Sequence, residues 1–127
     1  MEISFPGNKR VDAACRDFVI KTDQPRPAGG DDSAPTPFEL FLASLGTCAG
    51  IYVLGFFRQR GLSTEGLRIT LDTEGAADGK MVSKVRIAVS LPPGFPEKYR
   101  ASVVAAAELC LVARHLKQPP AIEVTAA

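Results

Sequence analysis

From Leu40 to Phe57 the chain reads LFLASLGTCAGIYVLGFF, 18 residues without one charged side chain. A run of that length reaches the threshold for a membrane span, and GTCAG within it has the GxxxG spacing. Ser44, Thr47, Cys48 and the glycines at 46, 50 and 55 dilute its hydrophobicity, and no basic cluster marks either flank. Amphipathic segments lie on both sides. A helix apolar all round is equally what a domain buries at its centre. The run therefore predicts a core helix, and no membrane partner is expected.

The start of that helix is well specified. Thr36, Pro37 and Glu39 fit the N-cap, N1 and N3 positions, so Thr36 and Glu39 form a capping box. Continued to Arg60 before the stop at Gly61, the helix extends about 36 Å. No single small sheet covers such a helix. A second copy of the chain is expected to cover part of it, with Ser44, Gly46, Ala49 and Gly50 admitting a close backbone approach.

The remaining elements follow from period and punctuation. Glu2 to Phe5 and Val11 to Thr22 read as a hairpin turned at Pro6-Gly7-Asn8. Residues 23–35, DQPRPAGGDDSAP, read as a loop, and a loop of that length is a candidate lid or site wall. Leu67, Ile69 and Leu71, then Val85, Ile87, Val89 and Leu91, alternate with polar residues around a GAADGK turn, giving a second hairpin. Pro96 to Leu116 has helical spacing, and Ile122 to Thr125 reads as a last short strand. The order predicts one α+β domain over residues 1–127, largely antiparallel in its sheets, with two long central helices.

Composition excludes several function classes. The 127 residues are 46% hydrophobic and 23% charged with a net charge of +1, which fits neither a disordered chain nor a nucleic-acid partner. Three widely spaced cysteines do not make a secreted disulfide framework. MEISFPGNKR shows no secretory signal pattern, so a cytoplasmic location with reduced thiols is expected.

Cys48 lies mid-way along the first helix and Cys110 on the apolar face of the second. Singly, each reads as a small core hydrophobe. If the two helices pack together their mid-points meet, and a facing pair can alternate between dithiol and disulfide. APTPFELFLASLGTCAGIYV followed by AAELCLVARHL resembles the OsmC/Ohr family, osmotically inducible protein C and organic hydroperoxide resistance proteins. The resemblance implies an intertwined homodimer with sites at the subunit interface. It implies a thiol-dependent peroxidase acting on organic hydroperoxides, with Cys48 peroxidatic, Cys110 resolving and an external dithiol (lipoyl-type or another small thiol) as reductant. It also implies an activating arginine from the amino-terminal strands, best matched by Arg10, with Arg16 and Arg26 as alternatives.

Two positions depart from the family pattern. Phe38 stands where peroxidatic members carry the glutamate that holds this arginine, and the acid comes one residue later at Glu39. Nine residues of straight helix put Glu39 about 13.5 Å from Cys48 and half a turn out of phase. Leu111 replaces the proline that commonly follows the second cysteine. These departures fit a divergent OsmC-like branch. The competing reading is an OsmC-fold protein that binds small molecules or senses redox state without efficient turnover. No cofactor and no metal are expected: His115 is the only histidine, no ligand spacing accompanies it, and no nucleotide fingerprint is present. Cys15 reads as strand packing.

Overall fold

Asn8, in the left-handed region at φ 48°, turns the chain between β1 (Glu2–Gly7) and β2 (Arg10–Cys15), which pair antiparallel. Asparagine tolerates that conformation better than other side-chain-bearing residues. The computed structural model describes residues 1–126, and the chain divides into two compact units, Met1–Ala43 and a second beginning at Ser44.

In the first unit the expected second strand is two strands. Arg16 sits at φ 55° and reverses the chain, so that β2 pairs antiparallel with β3 (Phe18–Ile20) in the register Cys15↔Phe18. The sheet order is β1-β2-β3. The Arg16 guanidinium lies 5.2 Å from the Phe18 ring centroid, a cation–π contact across the turn. No glycine, asparagine or proline announces this turn.

The loop that follows is organised by one carboxylate. Asp23 is 0% exposed. Its Oδ1 accepts the Gln24 N–H at 2.7 Å, and its Oδ2 accepts the Asp31 N–H at 3.2 Å, the Ser33 N–H at 3.1 Å and the Ser33 hydroxyl at 2.6 Å. The Asp23 N–H closes the loop onto the Pro35 carbonyl at 3.2 Å. Gly30 approaches the Gln24 carbonyl so closely that any Cβ there would overlap it. The segment expected as a lid or site wall is thus a tied loop.

The Ser33 hydroxyl, then the three N–H groups, hold the Asp23 pKa down to about 2 against the opposing effect of burial. The folded state therefore binds fewer protons than the unfolded chain, where an aspartate titrates near ~3.9. Amide protection at Gln24, Asp31 and Ser33 is expected to be full above about pH 4 and to fall as the pH drops through about 2. Hydrogen exchange across that window checks it. Flat protection would show that the charge does not hold the loop.

Helix α1 (Pro37–Gln59) begins as the capping box predicts. The Thr36 N–H and hydroxyl both donate to Glu39 Oε2, at 2.7 and 2.9 Å, and the Glu39 N–H donates to Thr36 Oγ1 at 3.2 Å. These bonds lower the Glu39 pKa, the Thr36 N–H most of all.

In the second unit α1 packs on an antiparallel hairpin, β4 (Arg68–Gly75) and β5 (Val82–Ser90). The register Ile69↔Val89, Leu71↔Ile87 and Thr73↔Val85 puts the apolar residues of both strands on one face. Val53 and Phe57 of α1, both 0% exposed, join Phe56 and Val103 as the core. The Phe57 ring stacks on Phe95 at 5.3 Å, and Phe56 meets Tyr99 edge-on at 5.9 Å. A Cβ at Gly46 or Gly50 would stand in ordinary contact with Leu71 or Ile69 of this hairpin, at 3.8 and 3.7 Å, and Ala49 is 0% exposed. Among the described residues α1 is the one helix long and apolar enough to cross a membrane, yet its inner face is core.

The expected second long helix is broken. Helix α2 runs Arg100–Glu108, the chain leaves helical geometry at Cys110 (φ −45°, ψ 117°), and α3 runs Leu111–Lys117. The predicted strand at 122–125 has no regular structure, with Ile122 85% and Val124 91% exposed. Its alternation is real, but among the described residues no strand pairs with it. The architecture is α+β with two antiparallel sheets and three helices.

Candidate functional site

The break between α2 and α3 turns Cys110 from a helix-face residue into a helix cap. Its sulfur accepts the Ala113 N–H at 3.4 Å and lies 3.8 Å from the Leu45 carbonyl. Cys110 is 1% exposed, whereas Cys48 is half-buried. Leu45 precedes Cys48 by less than one turn of α1, so the bond to its carbonyl draws the start of α3 against the helix that carries Cys48.

The two thiols meet. The Val112 N–H is the chief cause lowering the Cys48 pKa; burial opposes it, and the Cys110 S–H and the Leu111 N–H lower it further. Cys110 moves the other way, pushed up first by burial. Its single proton goes to either Leu45 or Cys48, and a thiolate at Cys48 is the stronger acceptor. The arrangement is thus a partly exposed sulfur suited to being an anion beside a buried sulfur suited to keeping its proton. No three His, Cys, Asp or Glu side chains form a metal-binding group among the described residues.

A cavity of about 330 Å³ adjoins Cys110, lined also by Val85, Ile87, Val89, Val104 and Ala113. Glu108 and Lys117 supply its polar lining.

Of the residues singled out from sequence, Cys48 and Cys110 are brought together. Glu39 is committed to the helix cap. Arg10, on β2 in the first unit, donates from Nε to the Gly7 carbonyl at 3.3 Å and is exposed. Arg16 is at the β2–β3 turn and Arg26 opens a short 3-10 turn. His115 bonds through Nδ1 to the Leu111 carbonyl at 2.8 Å, a bond within α3.

The OsmC-like protein family matches residues 30–125, a span that holds α1, both cysteines and all of the second unit's regular elements. The chain belongs to the OsmC-like family. Among solved structures it is similar to a candidate osmotic-stress-induced and detoxification-response protein of Psychrobacter arcticus, at 25% identity and a TM-score of 0.75 over 89% of this chain and 84% of that one. It is also similar in fold to the organic hydroperoxide resistance protein OsmC of Legionella pneumophila, at 20% identity and a TM-score of 0.58 over 91% and 86% of the two chains. No curated protein matches it.

This OsmC-like chain puts at Cys48 two donors that sequence reasoning missed, the backbone N–H groups of Leu111 and Val112. A main-chain amide leaves no trace in residue type. A proline at 111 would have announced a helix start, and its absence hid the break. Leu111→Pro tests the lesser of these donors, since proline suits N1 and the residue before it is already extended. Alkylation of Cys48 by iodoacetamide at pH 7 is expected to slow about threefold, the effect of one neutral hydrogen bond. An unchanged rate would remove this amide from the account.

Proposed function

We propose that this protein is a thiol-dependent peroxidase reducing organic hydroperoxides, with Cys48 peroxidatic and Cys110 resolving. The observation that carries the reading is the contrast within the pair: a half-buried free thiol whose surroundings lower its pKa, beside a buried free thiol whose burial raises its own. The Cys48 thiolate attacks the O–O bond; an S–O bond forms, the O–O bond breaks, and the alkoxide takes a proton and leaves as the alcohol. The Cys110 sulfur then attacks the Cys48 sulfenic acid, forming the disulfide and releasing water. An external dithiol, lipoyl-type or another small thiol, restores both thiols and is itself oxidised to a disulfide.

The Leu111 and Val112 amides assist the first step, and Arg10 is our choice for the cation beside the thiolate, ahead of Arg16 and Arg26. The apolar cavity favours bulky organic hydroperoxides over hydrogen peroxide, which gains nothing from apolar walls. We place the protein in the cytoplasm as a homodimer. Exposed Phe5, Phe18 and Val19 on the three-stranded sheet and Ile51 on α1, each more than half exposed in the single chain, support that assembly.

Intact-mass and peptide mapping of reduced protein after one equivalent of cumene hydroperoxide tests the proposal. A rapid Cys48–Cys110 disulfide is expected. Two persisting thiols would overturn it. They would favour the second reading, an OsmC-fold ligand-binding or redox-sensing protein without efficient turnover. One observation supports that alternative: Phe38 replaces the family acid, and Glu39 spends its carboxylate on Thr36.

A further inference from the structure

The Ala113 N–H of α3 donates to the Cys110 sulfur at 3.4 Å, and the neighbouring Val112 and Leu111 amides lower the Cys48 pKa. Cys110 is therefore both the proposed resolving thiol and the N-cap of the helix that follows it. Its sulfur also holds the Leu45 carbonyl at 3.8 Å, the side-chain bond that joins the cap to α1.

A disulfide is incompatible with both jobs. Bonding requires the sulfurs about 2.05 Å apart with a dihedral near 90°, so the Cys110 side chain turns toward Cys48 and away from Ala113. The bonded Cys110 sulfur has no S–H to give Leu45, and the bonded Cys48 sulfur no longer carries a charge with which to attract amides. Helix α3 has seven residues, too few to persist on propensity alone, and its Leu111 and Leu116 are about half exposed. It depends on its cap. Ala113 and Lys117 of α3 also line the apolar cavity that Cys110 borders.

We propose that closing the Cys48–Cys110 disulfide uncaps α3 and loosens the wall it gives to the apolar cavity. The inference rests on the peroxidase reading for how the disulfide arises in use, and not for what the disulfide does to α3. Oxidation by diamide separates the two. Two thiols lose two protons and two electrons to the diazene, giving the disulfide and the hydrazine, with no peroxide involved.

Hydrogen exchange is read by mass spectrometry on the full chain, fully reduced and after diamide, with the disulfide confirmed by peptide mapping. Exchange in the 111–117 segment is expected to rise about fivefold or more on oxidation, the consequence of losing an N-cap. The reduced Cys110→Ala variant should match the oxidised protein there, while reduced Cys110→Ser, which keeps a capping oxygen, should stay slow. Equal or slower exchange in the oxidised wild-type protein overturns the inference, as does failure of diamide to close the bond. A disulfide that forms with diamide but not with hydroperoxide defeats the peroxidase reading and leaves this one standing on its own result.

Discussion

Cys48→Ser is expected to abolish hydroperoxide consumption, by on the order of a thousandfold or more, because a serine hydroxyl is neither ionised at neutral pH nor able to form a stable S–O intermediate. Cys110→Ser is expected to behave differently. Its Cys48 keeps the Val112 and Leu111 amides and should complete one reaction with peroxide. It then halts as a sulfenic acid that dimedone labels in a one-to-one ratio. The sequence of events therefore separates in the two variants: no oxygen transfer in the first, transfer without resolution in the second. Steady-state consumption of cumene hydroperoxide with a dithiol, followed by mass analysis of the protein, checks both. Full turnover by Cys48→Ser would end the assignment of the peroxidatic role, whatever Cys110 does.

Phe57→Ala carries the largest expected cost to stability. The ring is 0% exposed, stacks on Phe95 at 5.3 Å and lies at the meeting of α1, β4–β5 and α2. Truncating a buried phenylalanine costs about 3–5 kcal/mol through lost transfer energy and the cavity left behind. For a domain of this size that lowers the midpoint of thermal unfolding by on the order of 15 °C. The neighbouring Phe56→Ala should cost less, because Phe56 is 8% exposed and the Arg60 guanidinium, 3.8 Å from its ring centroid, already lies over its outer face. Thermal denaturation of both variants in one buffer tests the ranking. A smaller effect at Phe57 than at Phe56 would mean that the core is centred elsewhere.

The elements legible in the sequence were those whose signals are local and redundant. Thr36-Pro37-Phe38-Glu39 encodes a cap through two side chains that satisfy each other, so α1 begins where the residues place it. The β4–β5 hairpin shows alternation on both arms and a polar turn between them. The misreadings share one cause, a change of direction without glycine or proline. Arg16 at φ 55° splits one apparent strand, and Cys110 at ψ 117° splits one apparent helix. In both cases the surrounding pattern stays in phase across the break, so periodicity cannot register it. At the site, side-chain chemistry identified the two sulfurs. The geometry that distinguishes them, one under two amides and the other capping a helix, depends on that unseen break. The tail at 122–125 shows the converse: alternation describes what a strand would bury, and a partner must supply the edge.

The tied loop at 23–35 has a bearing on selectivity. A flexible cover discriminates by the free energy of closing, and it spends part of every ligand's affinity on freezing its own backbone. Here the backbone from Gln24 to Ser33 is fixed in advance by a single interior anion. Moving it would strip four donors from a charge that water does not reach. Whatever molecule meets this surface encounters a mould already set. A molecule that met it would be selected by shape rather than by induced closure, and changes in loop composition that spare Asp23, Gly30 and Ser33 can alter the mould's relief while its footing stays in place.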